Sequence, residues 1–116
     1  MTDVLNTPMS LNEYSKQAFE KGFYKGDQSL SVYVMGLCGE SGEVADKYKK
    51  MIRDNDGIID DPFKHEVIKE LSDVLWYVNA LGQELGFSLE DIAQKNLAKI
   101  QSRKERGVQN GNGDNR

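Results

Sequence analysis

Two short acidic motifs hold the residues best suited to chemistry in this chain: Glu40-Ser-Gly-Glu43 and Glu70-Leu-Ser-Asp73. On a helix, side chains three apart share a face at a spacing of about 5–6 Å, so each pair presents two carboxylates to one ion and repels itself when no cation is there. At about 3.6 residues per turn, Glu70 falls inside an apolar stripe between Val67 and Val74, with Asp73 on its edge. Glu40 borders a second stripe beside Leu37 and Val44, with Glu43 further round. A carboxylate on a core-facing side is costly unless it is paired, protonated or bound to metal. One acid-x-x-acid pair is ordinarily a solvated face; two, on neighbouring long helices and each touching an apolar stripe, read as a metal site. Four carboxylates without histidine or cysteine suit a hard cation, Mg²⁺ or Mn²⁺, rather than zinc. Gly36, one turn before Glu40, leaves a gap through which a ligand can approach.

The other polar residues are weighed against that site. His65, the single histidine, sits in the first turn of its helix and reads as a surface or capping residue; the Glu-x-x-His pairs of di-iron bundles are absent, which disfavours a redox centre. Asn96, Lys99 and Arg103 follow one another at i, i+3 and i+7 along one helix flank. They serve either as a solvated edge with cations complementing the helix dipole or, opposite an acidic metal site, as ligands for phosphate oxygens that the metal leaves uncovered. Tyr77, one turn beyond Asp73, reaches a phosphate or packs in the core equally well. Phe23, Tyr24, Tyr33 and Trp76 offer rings for stacking on a base, or core and interface packing, so the base-binding residues stay unknown.

Four helices are expected to position these groups. Ser10-Leu-Asn-Glu13 has the form of a capping box opening a first helix that runs to about Gly22. A second pattern of helical period runs from Ser29 to about Asp54 through Leu30, Val34, Leu37, Val44, Tyr48 and Ile52. Asn55-Asp56-Gly57 is a turn, and Asp61-Pro62 reads as a cap followed by a proline in the first turn of a third helix, Pro62 to Leu85. Gly86 ends it, and Ser88-Leu-Glu-Asp91 opens a fourth helix that carries Leu89, Ala93, Leu97 and Ile100 to Gly107. No segment alternates with the period of a strand. The expected class is all-α: one domain over residues 1–107, two long central helices packed antiparallel, and a disordered tail at 108–116. Ile68, Leu75 and Trp76 lie off the third helix's main stripe of Phe63, Val67, Leu71, Val74, Val78 and Leu81. An over-apolar helix in so small a protein predicts a subunit interface, and so a homo-oligomer.

Bulk properties narrow the function. The 116 residues suffice for one modest core. A net charge of −4, from 19 acidic and 15 basic residues, with only Lys47, Lys49 and Lys50 clustered, argues against a nucleic-acid partner. The single cysteine, Cys38, cannot form an intrachain disulfide. The first residues do not read as a secretory leader and no stretch reaches membrane-spanning length, so a cytoplasmic location is expected and no membrane partner.

The same residues carry a family resemblance. Gly-Leu-Cys-Gly-Glu-Ser-Gly-Glu-Val-Ala-Asp-Lys, Lys-Glu-Leu-Ser-Asp-Val-Leu-Trp-Tyr and Asn-Leu-Ala-Lys-Ile-Gln-Ser-Arg, within about residues 29–106, resemble the MazG-like all-α nucleoside triphosphate pyrophosphohydrolases. The resemblance implies that Glu40, Glu43, Glu70 and Asp73 bind Mg²⁺ and that Lys99 and Arg103 contact phosphates, with Asn96 and Tyr77 matching less closely. It also implies hydrolysis of a nucleoside triphosphate to monophosphate and pyrophosphate in nucleotide-pool house-cleaning, by water activated at the metal, with Glu40 or Glu43 as proton acceptor, and a dimeric or tetrameric assembly that completes the bundle. Two alternatives stand beside it: a non-catalytic metal-binding helical oligomer, and a pyrophosphohydrolase of the phosphoribosyl-ATP type.

Overall fold

The computed structural model describes residues 7–22, 24 and 26–116. Its architecture is all-α, with α1 (Leu11–Glu20), α2 (Ser29–Asp54), α3 (Asp61–Glu84) and α4 (Leu89–Arg106). Local chemistry sets most of the boundaries. The Ser10 hydroxyl accepts from the Glu13 N–H to start α1, and Ser88 and Asp91 form a full capping box at the start of α4, which ends on left-handed Gly107. The cap of α3 is Asp60 rather than Asp61: its carboxylate accepts from the Phe63 N–H at 2.9 Å and from Asn55 Nδ2 at 2.9 Å. That second bond ties the cap to the turn at Asp56 and Gly57, both with positive φ, and draws the helix start one residue earlier.

The two long helices run antiparallel in a single register. Ser29 Oγ donates to Glu84 at 2.6 Å, Gly36 faces Tyr77, and Lys47 pairs with Glu66 at 3.5 Å, so each step up α2 is a step down α3. Helix α1 lies against α3 and α4, and α4 meets α3 where Ile92 seats on Gly82. The backbones of α2 and α4 make no close approach.

A buried polar knot joins three helices. Ser15 Oγ donates to Asn79 Oδ1 at 2.5 Å and accepts from Gln83 Nε2 at 2.7 Å and from the Leu89 N–H at 3.2 Å; Asn79 Nδ2 donates to the Ser15 carbonyl at 2.9 Å. Both residues are fully enclosed, and this satisfaction of every polar atom is what makes them tolerable there.

The apolar core within the chain is small: Tyr33, Met51, Ala80 and Leu89 are its buried members among the described residues. Trp76, expected at a subunit interface, instead packs under α1, where its indole N–H donates to the Ala18 carbonyl at 3.1 Å. Leu71, expected to face the core with the main stripe of α3, is 45% exposed and joins Ile68 (62%) and Leu75 (41%) in an open apolar row. After Gly107 the chain forms turns that bury little and fold back on α4, with Arg116 donating to the carbonyls of Val108, Gln109 and Gly113. No helix among the described residues is long and apolar enough to cross a membrane.

Candidate metal and phosphate site

The α2–α3 register sets Glu40 across from Asp73 and Glu43 across from Glu70. Carboxylate oxygens of Glu40, Glu70 and Asp73 thereby converge, all within 4.8 Å of one another. Partial burial raises the pKa of Glu40 first, and the negative charge of Asp73, a hydrogen bond with Glu70 and the charges of Glu70 and Glu43 raise it further. Glu43 stands close enough to act on Glu40 but outside the converging three, and is exposed. Burial, and after it the charge of Asp73, raises the pKa of Tyr14 of α1. His65 is exposed, as a surface residue should be.

Next to the acids lies a cavity of about 360 Å³ bounded by Lys21, Gly22, Glu40, Asp73, Trp76 and Tyr77. Its aromatic wall is tightly packed: Trp76 and Tyr77 meet edge to face at 5.1 Å, and Tyr33 meets Trp76 edge to face at 5.8 Å. The gap expected at Gly36 is not open to a ligand, because the Tyr77 ring fills it. Tyr77 thus packs on α2 and also lines the cavity. Tyr33 is buried and donates to the Tyr24 carbonyl at 2.9 Å, which makes it a core residue. Phe23 lies outside the described residues.

Asn96, Lys99 and Arg103 are not gathered with the acids. Lys99 and Arg103 both bind Asp114, at 2.7 and 3.0 Å. Asn96 and Lys99 border a wide groove of about 940 Å³ whose other side includes Leu37, Val78 and Leu81. In a single chain, then, the acids and the α4 cations form two separate groups.

Sequence reasoning missed Lys21 and Tyr14. A lysine ending a helix reads as a dipole partner, and nothing in its neighbours' types reveals that α1 turns this end toward the acids. The connection depends on Trp76 reaching the Ala18 carbonyl, a contact between residues 58 positions apart.

Comparison with known proteins identifies the family. The MazG nucleotide pyrophosphohydrolase domain matches residues 28–108, a span that includes both acidic pairs and all of α2, α3 and α4. The chain is 43% identical over 114 residues to the Gene 37 protein of Mycobacterium phage L5, covering 93% of this chain and all of that one. No solved structure matches it significantly. With its four acids on the α2–α3 seam and a family match across most of its length, the chain belongs to the MazG nucleotide pyrophosphohydrolase domain family.

Proposed function

We propose that this protein hydrolyses a nucleoside triphosphate between the α and β phosphates, releasing the monophosphate and pyrophosphate, with Mg²⁺ as its metal and Mn²⁺ as a substitute. The observation that carries this reading is the convergence of Glu40, Glu70 and Asp73 in a MazG-family chain. Three oxygen donors this close, one of them already holding its proton more tightly than usual, form a donor set whose repulsion a hard divalent cation would relieve. Glu40, Glu70 and Asp73 would hold it, with Glu43 beside them. When bound, Mg²⁺ supplies Lewis acidity toward water and phosphate oxygens.

The chain's own residues supply the rest. Glu43, adjacent to the converging three but outside them, is the acid left to accept the proton of the attacking water, with Glu40 as its alternate. Trp76 and Tyr77 wall off one side of the adjoining cavity. Lys99 and Arg103, remote from the acids of their own chain, are suited to meet the phosphates at an assembled site that includes a second copy.

That assembly is part of the proposal. The radius of gyration is 17.1 Å, against about 13–14 Å for a compact chain of this length. The exposed row of Ile68, Leu71 and Leu75 and the exposed Leu97 and Ile100 of α4 are the surfaces a homodimer or homotetramer would cover. We place the protein in a reducing cytoplasm, where exposed Cys38 persists as a thiol.

Hydrolysis in ¹⁸O-labelled water tests the reaction. Nucleoside monophosphate carrying the label, with unlabelled pyrophosphate, is the expected product pair. Diphosphate and inorganic phosphate would mean that a terminal bond breaks instead and would overturn the reading, as would metal binding with no turnover across the common and damaged nucleoside triphosphates.

A further inference from the structure

We propose that Lys21 is a substrate-contacting residue whose ammonium binds the polyphosphate chain of a nucleotide lying in the cavity beside the acids. This assignment rests on the triphosphate-cleaving reading of the same site.

Position argues for it first. Lys21 ends α1; its N–H donates to the Gln17 carbonyl and the next N–H, of Gly22, donates to the Phe19 carbonyl, so hydrogen bonds hold the backbone on both sides of it. The end of α1 is pinned to α3 by the Trp76 indole on the Ala18 carbonyl. Gly22 then lies so near the Trp76 ring that a Cβ there would stand 2.7 Å from Cζ2. This close approach brings Lys21 to the rim of the cavity that Glu40 and Asp73 also line.

Charge argues for it next. The cations that follow the first acidic motif, and Lys99 and Arg103 of α4, are already committed. Lys47 pairs with Glu66, Lys50 with Asp46, and Lys99 and Arg103 with Asp114. Lys21 has no carboxylate within ion-pair distance among the described residues, although Glu40 and Asp73 border the same cavity. A lysine on the rim of a cavity that two acids also line, and not ion-paired with either, is available to an anion that enters it. A polyphosphate drawn to the acids through a cation has oxygens that the cation cannot cover, and a cation on the facing wall offsets their charge. Lysine serves as a point charge there, so the interaction needs charge more than shape.

Isothermal titration with inorganic tripolyphosphate in the presence of Mg²⁺ tests the assignment without assuming a base. The comparison is between the full-length protein, Lys21→Met and Lys21→Arg, with Mn²⁺ affinity and thermal midpoint measured in parallel. Lys21→Met should weaken tripolyphosphate binding about tenfold or more and raise KM for a cleaved nucleotide by a similar factor. Mn²⁺ affinity and midpoint should not change, and Lys21→Arg should recover most of the binding. Tripolyphosphate binding by Lys21→Met within twofold of the natural protein overturns the proposal, and so does a parallel loss of Mn²⁺ affinity, which would make the residue part of the metal site instead. Failure of tripolyphosphate to bind the natural protein also overturns it. If no nucleoside triphosphate yields pyrophosphate, the underlying reaction is wrong, yet weaker tripolyphosphate binding by Lys21→Met would still show that the ammonium holds a polyphosphate.

Discussion

The Tyr77 ring lies across Gly36, so close that a Cβ at residue 36 would overlap its Cε1 and Cζ atoms. The glycine is therefore the seat of the ring, and the ring in turn lines the cavity beside Glu40 and Asp73. Gly36→Ala should displace Tyr77 or part the two helices, costing about 1–3 kcal/mol as overpacking does. Urea denaturation measures this directly. An unchanged midpoint would mean that Tyr77 relocates freely and does not set the α2–α3 separation.

Substitution of the converging acids should separate activity from stability. Glu40→Gln and Glu70→Gln each remove a negative charge from the cluster while keeping its shape, so turnover should fall to near background while the metal-free protein melts at a higher temperature. The sign for Glu40 follows from its raised pKa. The folded chain holds this proton more tightly than the unfolded chain, whose value is 4.5, so the carboxylate weakens the metal-free fold above its raised pKa. That penalty disappears as pH falls below the unfolded value. The melting advantage of Glu40→Gln should accordingly be present at neutral pH and vanish below about pH 4.5, and an advantage that grows in acid would contradict the assignment. Turnover kept at saturating Mg²⁺ in either variant would remove that residue from the ligand set.

Ser15 carries three polar contacts to α3 and α4 from a fully enclosed position. Ser15→Ala strands Asn79 Oδ1 and the Leu89 N–H without partners, at a cost of about 2 kcal/mol. Loss of that size in chemical denaturation is expected. A neutral result would indicate that water enters the α1–α3–α4 junction.

Sedimentation should give a mass that is two or four times the 13.1 kDa of one chain. Leu71→Asp, in the middle of the exposed α3 row, should drive it toward monomer and lower activity with it, because a charge in an apolar interface is poorly tolerated. A 13.1 kDa species for the natural protein at micromolar concentration, still active, would refute the assembly.

Much of the fold could be read from residue patterns because its signals are local. The boundaries of α1 and α4 follow from Ser10, Ser88 with Asp91, and Gly107, each acting within one turn of itself. Glu40, Glu70 and Asp73 could be read as a group because an acid-x-x-acid pair on a core-facing stripe is costly without a cation. The start of α3 differed by one residue because Asn55, across the turn, selects Asp60 as the cap. The role of Trp76 and the place of Lys21 were illegible because they depend on how α1 crosses α3. The separation of Lys99 and Arg103 from the acids depends likewise on the direction α4 takes, which periodicity along one helix does not encode.

That direction has a mechanical consequence. The named contacts of α4 with α1 and α3 gather at its beginning: Leu89 on Ser15, Glu90 accepting from Asn12 Nδ2, Ile92 on Gly82, with Leu97 and Ile100 exposed further along. From Ile92 to Arg103 the helix extends about 16 Å at 1.5 Å per residue, so any difference in its angle near Gly86, whose φ of 89° only glycine adopts easily, is magnified along it. A tilt of about 10° there sweeps the guanidinium end through roughly 3 Å over that length, as much as one hydrogen bond. The placement of Lys99 and Arg103, which Asp114 holds locally, thus depends as well on the opposite end of the helix, on Gly86 and Ser15.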